Sequence, residues 1–170
     1  MSVIEARSVS VNQVIDKIDR QVQKYLIIKT GISLLSGIVA MVVLSAFGVD
    51  FAVLFGFLTF LLNFIPSLGS IASIGLASII AAFQFGSVFP ALWILLLLVG
   101  LDAVISNFLE PKLMGQGLGL SPLVVLFSLF FWGWLWGIPG MILAVPLMAI
   151  IKIVCANVPA LTSVAVIMSK

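Results

Sequence analysis

The chain has no histidine, one cysteine and little charge: eight Lys and Arg residues and six Asp and Glu make 8% of its 170 residues, where a soluble domain carries about 25%. Each shortage excludes something. Without histidine the commonest general base and metal ligand is missing. A single Cys155 can form neither an internal disulfide nor a thiolate metal cluster, and in an apolar helix it acts as a small hydrophobe. A net charge of +2 is too small to indicate nucleic acid. No Gly-x-x-x-x-Gly-Lys-Ser/Thr run occurs, so ATP-driven chemistry has no support. No nucleophile stands with a base, and no metal-ligand set is visible. The sequence therefore assigns no catalytic residue, cofactor or metal.

What the chain does have is apolar sequence, 63% of it, at a mean hydropathy of +1.37. No soluble fold could hide so much, so the solvent for most of the chain is lipid. The apolar runs lack strand alternation and are long enough for helices. They predict an all-α integral membrane protein with an amphipathic N-terminal helix, about four transmembrane segments and a C-terminal helical hairpin of re-entrant type.

Residues 1–25 are the polar piece, with charges of both signs, and do not read as a cleavable signal peptide. Val11, Val14, Ile15, Ile18, Val22 and Tyr25 recur at helical spacing among Asp16, Lys17, Asp19, Arg20 and Lys24. A transmembrane domain is expected over 26–154, followed by a short amphipathic tail over 155–170 after Pro159. The first span runs from Leu26 to Gly48, with Lys29 placed to snorkel to the headgroups and Ser33, Gly37 and Met41 on one stripe for close packing. Gly48-Val-Asp50 is a tight turn. Phe51–Ile65 is a short apolar segment that ends at Asn63-Phe-Ile-Pro66-Ser-Leu-Gly69, where Pro66 cannot continue the helix. Gly69, Ser73, Ala77 and Ala81 then form a small-residue groove for another helix. The pair is either two short spans or a broken-helix hairpin.

Between Phe51 and Leu101 there is no charged residue. Then Asp102, Ser106, Asn107, Glu110, Pro111, Gly115, Gly117 and Gly119 arrive together. Polar groups inside an apolar span are costly and are usually functional. The helix from Val88 is expected to stop at Glu110, since Pro111 disfavours the α region for the residue before it. Asp102, Ser106 and Glu110, at i, i+4 and i+8, share one face. A carboxyl in low dielectric can exchange a proton or bind a cation, which suits Asp102. Asn107 and Asn63 could hydrogen-bond a solute or ion, and Glu110 could pair with Lys112. The alternative for Asp102 is a structural hydrogen bond between helices. The glycines run G-x-G-x-G with no preceding strand, so they are not a dinucleotide fingerprint; they read as a connector or a gate. Ser121-Pro122 starts a helix. Gly137-Ile-Pro139-Gly140 breaks the last apolar stretch into two halves of about 14 residues, each short for a bilayer. Trp132, Trp134 and Trp136 gather at the break.

The ordered series Asn63-Phe-Ile-Pro66-x-x-Gly69, Asn107-Phe-Leu-Glu-Pro-Lys-Leu-Met-Gly115, Gly117-Leu-Gly-Leu-Ser121, Phe131-Trp-Gly-Trp-Leu-Trp-Gly137 and Ala144-Val-Pro-Leu147 resembles the autoinducer-2 exporter family of bacterial multi-pass transporters. The resemblance covers Val11 to Val154. It implies a chain similar to a C-terminal half, because family members are about twice as long, with further N-terminal transmembrane helices. It also implies the bacterial inner membrane and export of a small polar signal, although other members are associated with sodium- or lithium-for-proton exchange. A secondary transporter is the leading expectation; the alternatives are a cation/proton antiporter and a non-transporting assembly subunit. Hinge or gate positions are Pro66, Gly69, Pro111, Gly115, Gly117, Gly119, Gly137, Pro139 and Gly140. The expected partners are the lipid bilayer, a small polar solute or cation, and either further copies of the chain or the absent N-terminal half.

Charge placement sets the orientation. Arg7, Lys17, Arg20, Lys24 and Lys29 are five of the eight basic residues, and the positive-inside rule puts that end in the cytoplasm. An even number of crossings puts Lys112 there, and a hairpin returns Lys152 and Lys170 to the same side. On a Cys155→Ser background, cysteines introduced at Ser2 and Ser169 should react only from the cytoplasmic face. Labelling of the two ends from opposite faces would reject the hairpin.

Overall fold

The computed structural model describes residues 3–66, 68–114, 119–158 and 161–169, with the backbone alone at 3–13, 17, 68, 162, 164 and 165. All regular structure among them is helical. The elements are α1 (Val3–Ala46), α2 (Ala52–Leu62), α3 (Leu68–Phe85), α4 (Val88–Val104), a π-helical turn (Ile105–Leu109), α5 (Glu110–Met114), α6 (Pro122–Trp136), α7 (Ile138–Asn157) and α8 (Thr162–Ile167). Among the described residues, three stretches are long and apolar enough to cross a membrane: Val14–Ala46, Val88–Met114 and Ile138–Asn157. The chain is a multi-pass, all-α membrane protein. It divides into two compact units, residues 27–115 and residues 1–26 with 116–170.

In the unit 27–115, α1 and α2 meet at two glycines. A Cβ on Gly37 would fall 2.7 Å from the Gly56 carbonyl oxygen, and one on Gly56 2.8 Å from that of Gly37. The Gly37 stripe thus does what the sequence predicts, bringing two backbones together. The α2 helix has 11 residues, about 16 Å, half the hydrocarbon thickness. It ends at Asn63, and α3 turns back along it, so the pair is a broken-helix hairpin rather than two spans. The base of the hairpin is clasped by Gln84: its Oε1 accepts from the Asp50 amide and its Nε2 donates to the Gly48 carbonyl, both at 2.8 Å. The loop between α1 and α2 and the far end of α3 therefore lie on one side.

The groove of Gly69, Ser73, Ala77 and Ala81 takes another helix as expected, and that helix is from the same unit. The groove is not open to another chain, because Ala77 and Ala81 are buried in this unit's own core with Ala40, Leu44, Ile94 and Leu98. The nearest of these neighbours, α4, is the next helix in sequence, so the shortest connection supplies the filling helix.

The expectation that the fourth span stops at Glu110 is corrected: helix continues through Pro111 to Met114. Pro111 has no N–H to give and its ring crowds the preceding turn. The wider turn at Ile105–Leu109, where the Glu110 amide reaches back to the Ile105 carbonyl, absorbs the misfit as a π-bulge and makes Pro111 an early residue of the next helical piece.

In the other unit, Ser121 caps α6 through its Oγ, which accepts from the Val124 amide at 3.3 Å. The α6–α7 break is narrower than Gly137-Ile-Pro-Gly suggests. Only Gly137, at φ +67° and ψ −144°, leaves the helix; Ile138, Pro139 and Gly140 already form the first turn of α7. The second half is consequently 20 residues, long enough to span. A Cβ on Gly140 would lie 2.0 Å from the Trp132 carbonyl oxygen, so the two helices pack backbone to backbone. The Ser121 amide donates to the Met168 carbonyl at 2.9 Å, tying the tail to the start of α6. Along α1, Val14, Ile18 and Val22 are half-buried while Asp16, Asp19, Arg20 and Lys24 are exposed, an amphipathic helix; Ile15 is exposed. The side chains of Val11, Lys17 and Pro159, also expected on the amphipathic ends, lie outside the described residues.

Gly69 offers a direct test of the hairpin. A Cβ there would sit 1.8 Å from the Leu62 carbonyl oxygen, whereas one at Gly75 meets nothing within 4 Å. Gly69→Ala should cost about 2 kcal/mol or more by forcing backbone apart, while Gly75→Ala should be neutral or stabilising by up to about 1 kcal/mol. Thermal unfolding of both variants in the same detergent checks the order.

Candidate functional site

The polar residues of the unit 27–115 form a ladder along α1. At its first rung the Lys29 ammonium, only 4% exposed, donates to Glu110 Oε1 at 2.8 Å. This corrects two expectations. Lys29 does not snorkel to headgroups, and Glu110 pairs with Lys29 rather than Lys112, which is exposed. An ammonium so enclosed needs a countercharge, and the π-bulge with α5 carries Glu110 to it.

The second rung lies one helical turn further, at Ser33. Asn63, the C-cap of α2, is buried at the hairpin tip, and its Nδ2 donates to Ser33 Oγ at 3.2 Å. Ser70, in the first turn of α3, reaches both Asn63 Oδ1 at 3.5 Å and Asp102 Oδ1 at 3.1 Å. Breaking the helix at Asn63 is what makes this possible, since an unbroken one could not point Asn63 and Ser70 into the same gap. Ser33, Asn63, Ser70 and Asp102 thus join α1, the hairpin and α4 through side chains alone.

Ser70 has one hydroxyl hydrogen and two acceptors within reach. With Asp102 ionised, the hydrogen belongs to the carboxylate, the shorter and charge-assisted contact. With a proton on Asp102, the carboxyl becomes a donor to Ser70, and the Ser70 hydrogen is released towards Asn63. The protonation state of Asp102 is therefore linked to α1 through the string Ser70–Asn63–Ser33. The same groups offer a hydroxylated solute donors and acceptors at one place.

Deeper still, Ser36, Thr59 and Asp102 line a cavity of about 20 Å³ with Ala40, Ile74 and Leu98. Beyond it the ladder ends in apolar packing: Leu44, Ala81 and Ile94 are each 0% exposed.

The remaining sequence candidates are placed as follows. Ser106 is half-buried on the Asp102 side of the helix. Asn107 is exposed, and its Nδ2 donates to the Ala103 carbonyl of its own helix at 2.9 Å, so it is not brought to the cluster. Pro66 lies in the hairpin tip and Gly69 at its tightest crossing. Gly137, Pro139 and Gly140 belong to the other unit, as does Gly119, whose carbonyl accepts a hydrogen bond from Lys152 Nζ. Gly115 and Gly117 lie outside the described residues.

Sequence reasoning passed over Ser70, Ser33, Lys29, Ser36 and Thr59. The stripe of Lys29, Ser33 and Ser36 at helical spacing was a usable signal, hidden by treating Lys29 as interfacial and the serines as small packing residues. Ser70 had no signal beyond following Gly69.

The chain as a whole is similar to known transport proteins. Residues 1–160 match the family described as AI-2E family transporter. The AI-2 transport protein TqsA of Escherichia coli (strain K12) is 42% identical over 164 residues, 96% of this chain and 47% of that protein. A provisionally named transport protein of Borreliella burgdorferi (strain ATCC 35210 / DSM 4680 / CIP 102532 / B31) is 41% identical over 156 residues, 89% of this chain and 42% of that protein. The chain thus spans less than half the length of these relatives.

The ion pair makes a sharp prediction. Lys29→Met or Glu110→Gln alone leaves one charge without its partner and should destabilise the chain by about 3 kcal/mol. The double variant should recover most of that loss. Thermal unfolding of the three proteins decides it; additive losses would show that the pair is not a unit.

Proposed function

We propose, from the premise that this chain belongs to the AI-2E transporter family, that it provides part of the membrane path of a secondary transporter. The solute is small and polar, with the AI-2 signal named for the TqsA relative as the leading substrate and export as the direction. The observation that carries the reading is the ladder: satisfied polar groups enter from the Lys29–Glu110 end, gather at Ser33, Asn63, Ser70 and Asp102, and stop at the packed apolar residues around Leu44 and Ile94. A broken helix beside a polar cluster at membrane depth is the arrangement secondary transporters use to hold a solute. Packing on one side of that cluster with polar access on the other is what an occluding carrier needs. Both ends of the chain face the cytoplasm in this reading, and the bacterial inner membrane is its site. Further helices or further copies complete the path.

In this reading Asp102 is the solute- or proton-binding group, Ser70 and Asn63 orient it, and Lys29–Glu110 is the ion pair at the entrance. Asn107 is outside the path and serves as a control. In sealed vesicles at equal expression, Asp102→Asn should lower solute flux at least about tenfold, a loss of about 1.4 kcal/mol or more in transition-state stabilisation. Asn107→Ala should stay within about twofold. Wild-type flux in Asp102→Asn would remove Asp102 from the mechanism. Cation-for-proton exchange that is lost in Asp102→Asn, with no flux of the polar signal, would move the chain to the antiporter reading.

A further inference from the structure

The cavity beside Asp102 has an unusual lining hydroxyl. Buried hydroxyls elsewhere in this unit are satisfied by their own helix: Thr59 donates to the Phe55 carbonyl at 2.8 Å, Ser78 to the Ile74 carbonyl at 2.8 Å and Ser73 to the Ser70 carbonyl at 3.2 Å. Ser33 accepts from Asn63. Ser36 is 5% exposed, and its Oγ has no hydrogen-bond partner. It lines the cavity of about 20 Å³ together with Thr59 and Asp102. A hydroxyl left unpaired in a low-dielectric interior costs about 1–3 kcal/mol, and helix-borne serine readily avoids this by bonding the preceding turn. Ser36 does not.

We infer that this cavity is a binding site for a single water molecule that bridges Ser36 Oγ to the Asp102 carboxylate. The size fits, since one water needs at least about 10–15 Å³ of such space. The chemistry fits as well. A buried water makes about three hydrogen bonds, and three partners line the site: Ser36 O–H to donate to it, the Asp102 carboxylate to accept from it, and Thr59 Oγ1, whose hydrogen is committed to Phe55 but whose lone pairs are free to accept. Ser70 occupies Oδ1 of Asp102 from the hairpin side, so the water serves the carboxyl group from the α1 side. A hard divalent cation takes six or more oxygens, and the lining side chains supply too few.

The water gives Asp102 a proton partner inside the protein, on the side away from the Lys29–Glu110 entrance; this consequence rests on the transport reading, whereas the site itself does not. The test is a high-resolution map of the full chain in a nanodisc, for wild type and Ser36→Val, whose added methyl groups occupy the cavity. Wild type should show a density peak within about 3 Å of both Ser36 Oγ and Asp102, unchanged when choline replaces alkali cations, and Ser36→Val should lose it. No peak in wild type overturns the proposal, as does a peak that persists in Ser36→Val or one that vanishes in choline. If Ser36→Val fails to fold, the wild-type maps in the two salts decide alone. A choline-insensitive peak together with wild-type flux in Asp102→Asn would keep the water site and reject the transport reading.

Discussion

An ammonium group closed off from water is the constraint around which the unit 27–115 is arranged. Lys29 sits on a helix that continues into apolar sequence, and its charge must be met within the protein or expelled from it. Glu110 meets it, but Glu110 belongs to a helix that Pro111 should have ended. The π-bulge at Ile105–Leu109 resolves that conflict, carrying the helix past the proline and the carboxylate to the ammonium. Position, bulge and ion pair each need the other two.

The same need for internal partners explains the second rung. Lipid offers no hydrogen bonds, so backbone that leaves the helix at membrane depth must be sheltered by protein. The break after Leu62 is sheltered by the glycine crossing at Gly69 and by Asn63, Ser70 and Ser33 bonding across it. Function and folding draw on the same atoms here. The groups that hold the hairpin tip are the groups that the proposed transport reading assigns to the solute, so in that reading occupancy would bear on the position of the tip.

Much of this could be read from the residues. The helical class follows from charge shortage alone, Ser121-Pro122 starts α6, the Gly37 stripe is a helix contact, and Asp102 is visible as a carboxylate in a greasy span. The failures have physical causes. Pro111 looked like a stop because a one-dimensional rule cannot see a bulge forming four residues earlier. Lys29 looked interfacial because hydropathy marks where an apolar run begins but not which side of the helix is covered. Which helix fills the groove at Gly69–Ala81 was not legible, because the filling helix, α4, is as apolar as lipid and leaves no trace in composition. Asn107 looked equivalent to Ser106, yet one residue is 100° around a helix, enough to turn it away from the cluster.

The Gln84 clasp has a mechanical meaning. The α2–α3 hairpin is fixed at its base by two hydrogen bonds to backbone atoms of the α1–α2 loop and held at its tip by side-chain bonds from Asn63 and Ser70. The hairpin is thus held at both ends, by backbone partners at its base and by side-chain partners at its tip. With α3 about 27 Å long, a tilt of about 10° about the clasp carries the tip roughly 5 Å, nearly one strand-to-strand spacing, while the base scarcely shifts. In the proposed transport reading, a change at Asp102 would act at the end of the hairpin farthest from the Gln84 clasp.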